Sequence, residues 1–225
     1  MMKRWLLALV AAAGCGDAPY NPMIEPARFV TGVDNAFFPL VPGTVYEYDV
    51  LETDETVTVT VTADTKIVMG VTCMVVRDIA KSGGQVVEDT YDWYAQDDAG
   101  TVWYFGEDTT AFDGGQSSKE GSWEGGVDGA KPGIIIPGTP RVGAVYRQEY
   151  YAGEAEDQGE ILSLDAAVTV PYMTFTGGCL KTRDFTALEP DVEEHKYYCP
   201  GVGPVRAEAV KGGPEHEDLI TVTRP

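Results

Sequence analysis

Acidic side chains dominate the reactive groups of this chain. It has 36 Asp and Glu against 16 Lys and Arg, and two histidines, so the net charge is -20. Two carboxylates across a cleft can hydrolyse a glycosidic bond, one protonating the leaving oxygen while the other attacks or activates water. Asp92, Glu107, Glu124, Asp128, Glu149, Glu154, Glu156 and Asp157 could supply such a pair. With so many acids, some proximity arises by chance, so no pair is assigned and catalysis is not expected. Acidic turns at 97–100, 107–108 and 124–128 offer the oxygen donors calcium prefers, but the spacing of an EF-hand loop is absent. Ser122, in Gly121-Ser122-Trp123-Glu124-Gly125, sits one place too early for a nucleophile elbow and has no strand-to-helix context. His195 and His216 have no second ligand at strand or helix spacing, which argues against zinc. No catalytic residue, metal site or cofactor is assigned.

A second set of residues could bind rather than react. Tyr46, Tyr48, Trp93, Trp103, Phe105, Trp123 and the run 134–136 are enough to line the inner face of a curved sheet. Such a face holds a hydrophobic molecule, or its rings simply fill the core. Arg147 lies in a strand-like stretch and could clamp a ligand carboxylate through two parallel hydrogen bonds. Its ordinary role would be an ion pair with Asp92, Glu107 or Glu149.

The elements that must position these groups are strands. In the run 55–62 Val and Thr alternate strictly, the pattern of a half-buried antiparallel strand. Strand patterns continue at 44–51, 66–78, 86–96, 144–151, 160–170, 173–175, 205–210 and 219–222. Asp97-Asp98-Ala99-Gly100 suits a type I turn closed by a left-handed glycine. That register sets Trp93 opposite Phe105 and Ala95 opposite Trp103, with Tyr94 meeting Tyr104 on the other face. A second hairpin pairs 179–185 with 192–199. No helical periodicity persists and no internal repeat occurs. The expected fold is all-β, one antiparallel curved meander or incomplete β-barrel occupying 34–225. Residues 106–143, rich in Gly, read as a long covering loop, packed because Trp123 and 134–136 need burial.

The N-terminus carries a different signal. Lys3 and Arg4 precede a short apolar run, and Ala12-Ala13-Gly14 lead into Cys15. The run is too short for a permanent spanning helix and reads as an export signal. Small residues ending on a cysteine resemble the lipobox of bacterial lipoproteins. That implies removal of 1–14, a lipid on Cys15 as the membrane anchor, and a tether over 15–33. The acidic balance repels nucleic acid and anionic headgroups, so neither is an expected partner. Export permits a disulfide among Cys73, Cys179 and Cys199. Hairpin register brings Cys179 opposite Cys199, while Cys73 with Cys179 would staple distant strands; spacing leaves both open.

Three stretches resemble a family of exported bacterial lipoproteins of unassigned function. They are the run from Asp34 through Phe37-Phe38-Pro39-Leu40-Val41-Pro42-Gly43-Thr44, the aromatic hairpin at 91–107, and Tyr197-Tyr198-Cys199-Pro200-Gly201-Val202-Gly203. The last is also similar to a motif of lipoproteins that carry lipid across the periplasm as open barrels. The resemblance implies no catalytic residues. Because relatives commonly have a small residue where Cys199 stands, it implies Cys73–Cys179 as the disulfide. The expectation is therefore an exported, lipid-anchored protein of the cell envelope that binds a small hydrophobic molecule or lipid. The alternative is an acidic interaction or structural module, calcium-stabilised at its turns.

Overall fold

The computed structural model describes residues 20–214 and 216–225. The export signal 1–14 and lipidated Cys15 lie outside the described residues. Among those residues, regular structure is one 3-10 turn, Pro26–Arg28, and fifteen strands. The first meander is β1 (Val45–Leu51), β2 (Glu55–Val68), β3 (Val71–Ser82), β4 (Gln85–Gln96) and β5 (Val102–Asp113). Short pieces follow: β6 (Gln116–Ser118), β7 (Trp123–Glu124), β8 (Lys131–Ile136), β9 (Val145–Arg147) and β10 (Glu149–Tyr150). The second meander is β11 (Gln158–Thr169), β12 (Thr174–Phe185), β13 (Glu193–Cys199), β14 (Gly203–Lys211) and β15 (His216–Thr223).

Hydrogen bonding joins the strands in the order β10-β8-β5-β4-β3-β2-β1-β15-β14-β13-β12-β11-β9, with β6 and β7 added to β5. First and last strands pair, so both meanders share one antiparallel sheet. The two ends of the path then meet in a single segment. β9 pairs with β11 and β10 with β8, and only Gln148 separates them. The sheet is thus nearly closed into a barrel, with one seam left unsealed at this switch. Closure removes most of the free strand edges a long meander would otherwise expose. Gly133 permits it: a Cβ there would lie 2.2 Å from the carbonyl carbon and oxygen of Gln148. A side chain would push the two edges apart.

Alternation sorts side chains into two cores. The inner one contains Val61, Ile136, Ile161, Leu180, Val205 and Leu219, all fully buried. A separate cluster on the outer side of β2–β5 contains Val68, Val71, Cys73, Val75, Trp93, Ala95 and Phe105. Residues 24–29 cover it, Phe29 lying edge-on to Phe105 at 5.5 Å and to Trp103 at 6.4 Å. The segment expected as a free tether is therefore docked from residue 20 onward, where Tyr20 donates a hydrogen bond to Pro132 O at 2.8 Å. The expected covering loop 106–143 needs the converse correction. Much of it is strand, because its apolar residues bury best by pairing: Ile136 sits opposite Val102 and Trp123 opposite Glu107.

The turn at 97–100 forms as its residues require. Gly100 has φ 82° and donates to Asp97 O at 2.9 Å, and Asp97 Oδ1 accepts from the amides of Ala99 and Thr101. Tyr94 stands opposite Tyr104 and Ala95 opposite Trp103, while a bulge follows Asp92. The disulfide is Cys179–Cys199, with Cα atoms 4.3 Å apart, and Cys73 is a free buried thiol. This corrects the Cys73–Cys179 pairing implied by resemblance. Leu180 opposite Tyr198 sets the two hairpin cysteines face to face, whereas Cys73 belongs to the outer cluster.

Candidate functional site

The inner core fills only one end of the barrel. Beyond it lies a lumen of about 420 Å³, within the range of small-molecule sites. The same strands that bring apolar residues to the core bring different ones here. Val76 is followed two places on by Asp78, Tyr94 is preceded by Asp92, Tyr198 by Lys196, and Leu219 by Glu217. A period of two keeps each pair on one face. Glu107, Glu149 and Asp157 join them from β5, β10 and the approach to β11.

Aromatic rings form the rest of the wall. Tyr94 stacks on Tyr104 at 4.9 Å, and Phe38 lies edge-on to Tyr94 at 5.1 Å. Tyr46 and Tyr48 donate to the carbonyls of Pro39 and Pro204 at 3.3 and 3.0 Å, which orients both rings. Trp123 packs edge-on to Tyr104 at 5.3 Å and its indole N–H donates to Glu149 Oε2 at 3.0 Å.

Among the described residues two cations line this lumen, and both are already engaged. Arg206 pairs with Asp218 through two hydrogen bonds at 2.5 and 2.6 Å. Lys196 Nζ lies 3.2 Å from Asp184 Oδ2 and 3.7 Å from Glu194 Oε2. Asp184 also accepts from Gln148 Nε2 at 2.9 Å and Thr182 Oγ1 at 2.6 Å. This knot ties β12 and β13 to the seam. Burial opposes the charge of Lys196, but Asp184 and Glu194 outweigh it and hold the ammonium well above its ordinary pKa.

The remaining acids have lost solvation without gaining that compensation. Burial, then the charges of Glu217, Glu88 and Glu107, push Asp78 up to about 8. Burial and the nearby Asp157 and Glu107 push Glu149 up to about 8. Glu217 rises to about 7, burial outweighing the pull of Lys196. Asp92 is raised well above the carboxylate range by burial and Glu107, although Tyr104 donates to its Oδ1 at 2.6 Å. Asp157 is raised too, burial again leading. These groups touch the open lumen yet are surrounded by protein, so each carboxylate is held where its charge is costly.

Of the residues singled out for binding, Tyr46 and Tyr48 line the lumen, and Trp123 backs its wall. Trp93, Trp103 and Phe105 do not; they lie in or against the outer cluster beneath residues 24–29. The single aromatic inner face is thereby corrected, because the alternation that points Tyr94 and Tyr104 inward points Trp93 and Trp103 outward. Arg147 lies outside the lumen, 3.4 Å from Glu156 and over the Tyr150 ring at 4.9 Å. Among the candidate acids, Asp92, Glu107, Glu149 and Asp157 converge on the lumen, while Glu124 pairs with Lys66 at 2.8 Å. Ser122 caps Thr109, accepting from its amide at 2.9 Å. His195 and His216 face Glu208 and Asp218 at 3.6 and 3.8 Å. Sequence reasoning missed Asp78, Lys196 and Glu217; their signal was a charged residue in the inward phase of an apolar strand.

No family model matches the chain, and no curated protein matches it. Two crystal structures are similar. A Bacteroides fragilis NCTC 9343 protein inferred to be exported, with a YmcC-like fold, shares 13% identity over 84% of this chain and 100% of its own, at a TM-score of 0.51. A Parabacteroides distasonis ATCC 8503 protein inferred to be a lipoprotein shares 13% identity over 84% of this chain and 99% of its own, at 0.49. The first likeness places the curled sheet among YmcC-like folds.

Proposed function

We propose that this chain is an exported, membrane-anchored barrel that binds a small molecule in its lumen and carries out no reaction on it. The observation that carries the reading is the lumen itself: about 420 Å³ left unfilled inside a barrel that also holds a buried apolar core. Leaving such a space lined by polar groups costs stability, and natural proteins keep costs of that kind mainly where a ligand offsets them. Export is supported by the signal pattern ending at Cys15, by the Cys179–Cys199 disulfide, which persists in oxidising compartments, and by the similar Bacteroides protein, itself inferred to be exported. Tyrosines and other apolar side chains share the wall with carboxylates, so the ligand is amphipathic rather than a pure hydrocarbon. Ser122, His195 and His216 are each occupied in structural contacts, which speaks against nucleophilic or histidine-based catalysis.

Native mass spectrometry of the full chain, extracted and held in mild detergent, tests this. A co-purifying small molecule is expected in the wild type and absent from Ala207→Trp, which places an indole in the lumen. A bare mass in the wild type, unchanged by incubation with an envelope extract, would overturn the reading.

A further inference from the structure

Resting on that lumen reading, we propose that the ligand is a small organic cation, an ammonium or guanidinium on an apolar body, with Asp78 and Glu217 as its counter-ions and the tyrosines as its apolar bed. Asp78 and Glu217 are the deepest-set acids of the wall that have neither a hydrogen bond nor an ion pair among the described residues. Every other charge of the set is at least partly satisfied: Asp92 by Tyr104, Glu149 by Trp123, Asp184 by Lys196. Both are half-buried carboxylates that protein atoms deprive of part of their hydration without returning a hydrogen bond, so two facing one cavity suit a partner that arrives from outside.

The sign of that partner follows from the wall. Lys196 is committed to Asp184 and Glu194 and Arg206 to Asp218, so an anion would meet an excess of carboxylates with no free donor cation among the lining residues. Its size and character follow from the rest. Among the described residues no three Asp, Glu, His or Cys side chains converge closely enough to hold a metal ion. A bare divalent ion needs oxygens at about 2.3–2.6 Å, and a lumen of about 420 Å³ is far too wide for it. Tyr94 and Tyr104 present ring surface toward the same space, which suits the hydrocarbon of an organic cation and attracts its charge.

Isothermal titration of the full chain with 2-phenylethylamine, 2-phenylethanol and phenylacetate separates the terms, since the three share one apolar body and differ in charge. The amine is expected to bind one to one and at least tenfold more tightly than the alcohol, and the acid not to bind. Asp78→Asn/Glu217→Gln should lose at least tenfold for the amine and nothing for the alcohol. Because the exchange removes buried charge, the variant should also melt higher, so lost binding could not be ascribed to unfolding. A control double exchange at exposed Asp64 and Asp113, Asp64→Asn/Asp113→Asn, changes net charge equally and should leave amine binding unchanged. Equal affinity for amine and alcohol, or equal loss in both double variants, would overturn the cation inference and leave the lumen reading standing. Binding of none of the three probes would overturn both.

Discussion

The two ends of the barrel are built from the same strands by the same alternation, yet they differ in every physical respect. At one end Val61, Ile136, Leu180, Val205 and Leu219 are fully buried and packed together. At the other, Asp78, Asp92, Glu149 and Glu217 hold their carboxyl groups against a cavity, with raised pKa values. The first end supplies stability through apolar burial. The second reduces it by desolvating charge. The comparison teaches that this fold is held at one end so that the other can remain open and strained.

The sharpest way to break the packed end is Leu180→Ala. A fully buried leucine cut to alanine costs about 2–5 kcal/mol, so urea unfolding should show a loss in that range. Removing the disulfide, Cys179→Ala/Cys199→Ala, should come next. The bond spans 20 residues, and closing a loop of about that size is worth about 3 kcal/mol. At the lumen end the sign should reverse. Asp78→Asn/Glu217→Gln is expected to stabilise by about 0.5–2 kcal/mol, as replacing a strained functional group commonly does. The smallest effect belongs to the exterior. Arg28 and Asp98 pair at 2.7 Å with both side chains exposed, and Arg28→Ala should leave the urea midpoint almost unchanged because solvent screens such a pair.

Much of this architecture was legible in the sequence. Val and Thr alternation placed β2, Asp97 with Gly100 placed the β4–β5 turn, and the 179–199 hairpin put the bonded cysteines in register. What escaped detection depended on tertiary choices. Nothing local says that Trp93 and Phe105 face outward under residues 24–29, because alternation gives two faces and not which one is the interior. Resemblance pointed to the wrong cysteine pair, whereas the hairpin register carried the right one. The lumen acids were visible only as residues in phase with Val76, Tyr94 and Leu219. Until those strands curl around one space, an acid at a strand end reads as solvated.

Titration separates the two ends without any mutation. A carboxylate whose pKa is raised on folding binds more protons in the folded state than in the unfolded one. Its contribution therefore favours folding at low pH and is lost as pH rises toward the folded value. For Asp78 and Glu149 that window runs from ordinary carboxylate values up to about 8, and for Glu217 up to about 7. The measurement that tests this account most directly is urea unfolding of the full chain at pH 5 and pH 8, for the wild type and for Asp78→Asn/Glu217→Gln. The wild type should be less stable at pH 8, and the variant should recover part of that loss and exceed the wild type there. A variant less stable than the wild type at both pH values would show that these carboxylates hold the barrel together, and the division between a packed end and a strained end would fail.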